Sequence, residues 1–219
     1  MNWRLIRHGK GSPSWNMAVD EALLRAVKQP ILRIYEWDRP AVSIGYFQSM
    51  AVVPSGREFI RRYTGGGLVD HLADVTYTVI LPRGESVLDL STTESYRQIH
   101  EAVVKSLQML GVAAVLTPCC DPEERDSCFE RAVKYDIVLG EDKVAGAAQR
   151  RTREGMLQQG SVLLKDEELR EKLRVKLPLF FAEVFGVSFE EEELSAAERE
   201  ATRKLEESRY GTLEWNQQK

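Results

Sequence analysis

Apolar positions along this chain follow two periods. Residues 75–81, Val-Thr-Tyr-Thr-Val-Ile-Leu, alternate and are β-branched, which predicts a strand. Ile99, Val103, Leu107 and Leu110 step by four and three, the stripe of a packed helix face. Thr92 or Thr93 caps that helix and Gly111 stops it. His100 lies beside the stripe and reads as a surface or boundary residue. Further strands are predicted at 4–7, 31–37, 42–46, 113–116, 132–139, 143–149 and 155–164. A helix over 15–28 starts behind Ser14 as N-cap and ends before Pro30. Its Asp20 and Glu21 point in different directions and read as the polar edge of a partly buried helix. Residues 117–127 are polar and form a loop. From residue 166 the chain becomes charged and helical, over 166–176, 177–185 and about 190–207. The acidic run at 190–193 reads as a helix start favoured by the helix dipole. Strands with helices between them, then a helical tail, argue an α+β fold with a mixed sheet rather than a doubly wound parallel one.

Composition narrows the class. With 219 residues, 43% of them hydrophobic, the chain buries a real core and is expected to be one domain over 1–219. Its core spans about 3–165, with a helical extension over about 166–219. A net charge of -4 and the lack of a basic stretch interleaved with aromatics argue against a nucleic-acid binder. The N-terminal residues contain no signal-peptide core and no run reaches membrane-spanning length, so a cytoplasmic protein is expected. Three cysteines, Cys119, Cys120 and Cys128, are odd in number and crowded, unlike a disulfide framework. No CxxC pair exists, so no metal site is expected.

The segment Arg61-Arg62-Tyr63-Thr64-Gly65-Gly66-Gly67, ending at His71, is the strongest candidate for chemistry. Glycines cost backbone entropy and are kept where a side chain would obstruct or φ must be positive. The pattern fits a strand, a glycine loop offering bare N–H groups to a ligand's oxygens, and a second strand. A long hairpin turn with a pliable tip fits it too. It is neither a P-loop nor a dinucleotide-binding turn.

Five blocks in order then resemble one family. Asn16-Met17-Ala18-Val19-Asp20-Glu21 is similar to the first-helix signature of the lipoate–protein ligase and octanoyltransferase family. Leu32 to Trp37 with Val42-Ser43-Ile44-Gly45-Tyr46-Phe47-Gln48 resembles its next block, and the Arg61–His71 loop its acyl-binding loop. Gly140-Glu141-Asp142-Lys143-Val144-Ala145-Gly146-Ala147-Ala148-Gln149 resembles its lysine motif, and Leu157-Gln158-Gln159-Gly160-Ser161 its last core strand. The resemblance implies the biotin/lipoate protein ligase catalytic fold, which is class II aminoacyl-tRNA synthetase-like, with an acyl tunnel between glycine loop and lysine strand. It implies octanoyl or lipoyl chemistry on a lysine of a lipoyl carrier domain, glycine-cleavage H protein or dehydrogenase E2.

Within the family, Cys128-Phe129 before Tyr135-Asp136-Ile137 resembles the nucleophile region of the Gram-positive-type cysteine octanoyltransferases, which draw on acyl carrier protein and need no cofactor. His71-Leu72-Ala73-Asp74 lacks the asparagine with which ligases help hold nucleotide, and Tyr210 to Asn216 resembles the close of the catalytic domain. Gly65-Gly66-Gly67 itself is more ligase-like, and an ATP- and Mg-dependent ligase stays open as the alternative, with a non-catalytic binder of carrier domains as a third reading. On the transferase reading Cys128 attacks the thioester and Lys143 stabilises the oxyanion or lowers the thiol pKa. Thr64 and Gly65, Gly66 and Gly67 line the acyl tail, with Gly146 and Ala147 opposite. Arg61 and Arg62 contact a phosphate, of pantetheine or of AMP; an ion pair within the loop is the other reading of Arg62. His71 orients the loop, acts as a base or is structural. Cys119 and Cys120 are left structural. The spatial expectation is one slot, walled by the glycine turn and Lys143, with Cys128 at its opening.

Overall fold

A computed structural model describes residues 2–118 and 133–218. The elements run in the order β1 (Asn2–Gly11), α1 (Pro13–Ala26), β2 (Ile31–Trp37), β3 (Val42–Ile44), β4 (Phe59–Arg61), β5 (Val69–Asp70), β6 (Asp74–Pro82), α2 (Thr92–Met109), β7 (Val115–Leu116), β8 (Ile137–Leu139), β9 (Asp142–Arg151), β10 (Gly155–Leu163), α3 (Glu167–Phe185), β11 (Ser188–Glu191), α4 (Ala196–Leu205) and α5 (Leu213–Asn216). Among the described residues eight strands form a mixed sheet in the order β11-β1-β2-β6-β10-β9-β8-β7. β1 is parallel to β11 and β2, and the pairings from β2 to β7 are antiparallel. A small sheet, β4-β3-β5, lies apart from it.

Burial decides which face each helix covers. Leu5, Ile34, Val75, Tyr77 and Val79 pack with Ile99, Val103 and Leu107 of α2 and Leu173, Leu177 and Phe181 of α3. Ile6, Ile80 and Leu157, one residue out of phase, pack with Val19, Leu23 and Leu24 of α1. β6 is therefore buried on both faces, each large apolar side chain contributing about 1.5–3 kcal/mol by leaving water.

Five expectations change. Ser12, not Ser14, caps α1: its hydroxyl accepts from the Trp15 N–H at 3.1 Å, and Pro13 follows it. The two helices expected over 166–185 are one, α3, although Pro178 lies inside it. The proline cannot donate to the Arg174 carbonyl four residues back. Arg7 donates to that carbonyl instead, at 2.9 Å, so the turn is satisfied. The helix expected over 190–207 is a strand and then a helix. The acids at 190–192 face arginines across β1: Arg7 reaches Glu191 at 3.4 Å and Arg4 reaches Glu192 at 2.9 Å. α4 begins at Ser195, in a capping box with Glu198. His100, expected near the surface, is fully buried. The strand expected over 132–139 is described only as the short β8.

Candidate active site

The sheet register builds a floor. Gly146, Ser161, Thr76 and Tyr35 stand side by side across β9, β10, β6 and β2. Strands lie about 4.8 Å apart, so this row is about 14 Å long. Small side chains occupy its first three places, and Tyr35 with Trp37 closes the fourth. Ser43, Arg62, Val69 and His71, from β3 and the glycine loop, form the roof. Between them is a narrow slot, with Lys143, Gly146, Ala147 and Ala148 along one side and Met17 and Gln159 also in its wall. The glycine loop and the lysine strand thus meet at one slot.

Two close approaches set the roof. Gly66 has φ +83°, and a Cβ on Gly45 would stand 1.9 Å from the Gly66 carbonyl oxygen. Nothing but glycine lets the loop rest on β3 there. Arg62 ties the loop down: Nη1 donates to the Ser43 carbonyl (2.8 Å) and hydroxyl (2.7 Å), and Nη2 to the carbonyls of Gly65 (3.0 Å) and Gly67 (2.8 Å). The Thr64 hydroxyl donates to Gln159 Oε1 at 2.7 Å. Among the described residues the loop's contribution to the wall is Arg62, Val69 and His71 rather than the three glycines.

Asp74 explains how a floor with hydroxyls suits an acyl chain. Its Oδ2 accepts from Thr76 (2.8 Å) and Ser161 (2.7 Å) and pairs with His71 Nδ1 (2.8 Å). Burial alone would raise this carboxyl. The His71 charge and the three hydrogen bonds outweigh it and hold the carboxyl below its ordinary value. His71 Nε2 meets the Ser43 hydroxyl at 2.7 Å, and its ring stacks on Trp37 with centroids 4.0 Å apart. His71 is thus held on two nitrogens and one face.

Lys143 lines the slot, its ammonium 2.7 Å from Asp136 Oδ2. A Cβ at position 146 would lie 2.7 Å from Lys143 Cε and 2.9 Å from Nζ, so the lysine folds back over Gly146. The buried Asp136 also accepts from the Val133 N–H at 2.8 Å and from the Tyr96 hydroxyl.

The structure does not bring Arg61 to the slot. Its guanidinium donates to six main-chain carbonyls: Gly45, Tyr46 and Gln48 on one side, Trp215, Asn216 and Gln218 on the other. The phosphate contact expected of Arg61 is replaced by a structural one, clamping the C-terminal turn behind the glycine loop. The first-helix acids are likewise structural and fully buried. Asp20 pairs with Arg33 at 2.6 Å and accepts from Thr78 and Gln159, while Glu21 accepts from Arg209 and Tyr210. Cys128, Cys119 and Cys120 lie outside the described residues, as does the expectation of a sulfur at the slot's opening. Sequence reasoning missed Asp74, Ser161, Tyr96 and Asp136. Polar residues on otherwise apolar strands, Thr76 and Ser161, were the available signal.

The fold is that of solved lipoate–protein ligases. A lipoate-protein ligase A bound with ATP superposes with a TM-score of 0.82 at 29% identity, covering 99% of each chain. A bi-partite lipoate protein ligase from Thermoplasma acidophilum, analysed with its E2 lipoyl domain, gives 0.77 at 27% identity over 99% of this chain and 96% of that one. In sequence, Octanoyltransferase LipM of Kyrpidia tusciae is 35% identical over 273 aligned positions, covering 99% of both chains. The lipoyl protein ligase A/B catalytic domain description matches residues 12–175, and the chain belongs to that family.

Proposed function

We propose that this chain is a single catalytic domain that transfers an octanoyl, or lipoyl, group from acyl carrier protein to a lysine of a lipoyl carrier domain, in the cytoplasm. The observation that carries the reading is the slot: a floor about three strand spacings long, with aromatics at one end and a lysine in its wall. An extended eight-carbon chain, with C–C bonds of about 1.5 Å, is about 10 Å long and fits that floor. Kinship to octanoyltransferases along almost the whole chain favours transfer.

On this reading Cys128, assigned from sequence alone, attacks the donor thioester as thiolate. A C–S bond forms and the carrier thiolate leaves, taking up a proton. The acceptor's lysine amine then attacks the acyl-enzyme, forms the amide, loses a proton and expels the Cys128 thiolate. Lys143 stabilises the oxyanion in both steps; one such donor contributes about 3 kcal/mol in comparable sites. Arg62, Thr64, Gly65, Gly66, Gly67 and His71 shape the acyl site from above, and Gly146 and Ala147 from the side. Neither nucleotide nor metal is needed.

The ligase reading keeps the same slot and adds ATP and Mg. Its support is the likeness to the ATP-bound ligase and the triple glycine. Arg61, which faces main-chain carbonyls, does not separate the two readings, since a phosphate contact was expected of it on either. The test is intact mass after incubation with octanoyl-acyl carrier protein. A covalent adduct that disappears in Cys128→Ser is expected. Modification of unmodified H protein that requires ATP and lipoate, and survives that substitution, would replace the transferase with the ligase. Activity in neither assay would leave the carrier-domain binder.

A further inference from the structure

Behind Lys143 lies a layer that the proposed chemistry does not name. Tyr96, on the first turns of α2, donates to Asp136 Oδ1, and its oxygen accepts from the Ala147 N–H at 2.9 Å. Among the described residues β8 pairs with β9 through Ala145 and no further, and there the Ala147 N–H finds its partner in the Tyr96 hydroxyl rather than in a strand. One hydroxyl therefore holds both the carboxylate that grips Lys143 and the strand over which Lys143 folds.

The peptide before Asp136 is held as tightly. Tyr135 has φ +70°, a left-handed conformation uncommon for a side chain of its size. His100 Nδ1 donates to the Tyr135 carbonyl at 2.7 Å, and its ring lies against Tyr96, with centroids 4.2 Å apart. The Asp136 main chain is pinned by Thr117 and Val133. Burial lowers the His100 pKa to about 4 and pushes the Tyr96 hydroxyl well above its ordinary value. Near neutral pH, then, the imidazole stays neutral and the phenol keeps its proton to donate.

We propose that Tyr96 and Asp136 are positioning residues for the acyl-transfer step, acting through Lys143: Asp136 fixes where the ammonium sits, and Tyr96 fixes Asp136 against β9. The inference rests on the reading of Lys143 as the donor at the acyl carbonyl. A misplacement of about 1 Å at a reacting centre costs on the order of a hundredfold in rate. The loss of one phenolic oxygen should therefore show in turnover and not in acyl binding.

The test uses the full chain, octanoyl-acyl carrier protein and unmodified H protein. Tyr96→Phe and Asp136→Asn are compared with Lys143→Ala, alone and combined, with selective acetylation of Lys143 read by peptide mass spectrometry. We expect Tyr96→Phe to lower kcat by about tenfold or more while KM for the donor stays within about twofold. Its melting temperature should hold, Lys143 should acetylate faster than in the parent, and no further loss should follow on the Lys143→Ala background. A kcat within twofold of the parent with unchanged Lys143 labelling overturns the proposal. So does a loss of kcat that arrives with an equal rise in KM and a fallen melting temperature. If Lys143→Ala keeps the parental rate, the functional reading fails instead, and Lys143 labelling in Tyr96→Phe alone decides whether the brace exists.

Discussion

Gly146→Ala separates the chemistry of the site from its stability. Position 146 carries no positive φ, so alanine is free to adopt its backbone conformation. On the unfolded side, replacing glycine by alanine at a compatible site stabilises by about 0.4–1 kcal/mol. On the folded side the new Cβ meets Lys143 Cε at 2.7 Å and Nζ at 2.9 Å, and Asp136 Oδ1 at 3.3 Å. Ordinary carbon contacts begin near 3.5 Å, so the lysine tip must retreat by roughly 0.8 Å. It is the far end of a side chain and can do so at little cost. The expected protein melts within a few degrees of the parent and loses transfer activity by about ten- to a hundredfold, since displacements of this size cost that much at a reacting centre. Octanoyl transfer to H protein, beside a thermal melt, measures both. Gly160→Ala is the contrast. Its Cβ would lie 2.2 Å from the ring of the buried Tyr77, and overpacking there costs about 1–3 kcal/mol or more. Parental activity in Gly146→Ala would refute the reasoning, because the lysine would then have no required place.

Three further outcomes follow from the same geometry. The folded-state pKa of Asp74 is depressed, so its contribution is present above the ordinary carboxylate range and is lost as pH falls through the lower folded value; Asp74→Asn should be less stable than the parent at pH 7, with the gap closing in urea melts towards pH 3. Removing residues 212–219 strips Arg61 of three carbonyl acceptors and should cost several kcal/mol, since hydrogen bonds to a charged group contribute about 1.5–3 kcal/mol each, read by urea unfolding. Arg62→Lys offers one nitrogen where two forks held Ser43, Gly65 and Gly67; it should raise KM for the acyl donor and speed amide exchange over 63–68, and unchanged exchange there would remove Arg62 as the loop's tie.

What was legible in the chain was what local pattern encodes. β6 and α2 announced themselves by periods of two and of three to four, and Gly66 by the need for a positive φ. What misled was, apart from the local cap at Ser12, a partner distant in sequence. The acids at 190–192 look like a helix start until Arg4 and Arg7 stand opposite them. Pro178 looks like a break until Arg7 takes the carbonyl it leaves unpaired. Arg61 and Arg62 are adjacent and alike, yet neighbouring strand positions face opposite ways. One enters the slot wall and the other clamps the C-terminal turn. His100 reads as a boundary residue because its acceptor, the Tyr135 carbonyl, lies 35 positions away.

The slot is held by three buried charged groups, each saturated by its neighbours. Arg62 gathers the roof's carbonyls, Asp74 gathers the hydroxyls of the floor, and Asp136 gathers Lys143, Tyr96 and the Val133 N–H. A buried charge is costly unless fully partnered. Each of the three therefore compels its partners to keep their places, and the partners are the walls. This is how an apolar acyl site tolerates Ser43, Thr76, Ser161 and His71 in its lining: their polar atoms are turned into the protein, and the slot receives their methyl, methylene and ring faces. Converting any one of the three to an apolar residue of similar shape would free the very hydroxyls, carbonyls or ammonium that it now occupies. Those groups would then compete for the space where the acyl chain lies. Rigidity of the walls and apolar character of the space between them thus have one physical source.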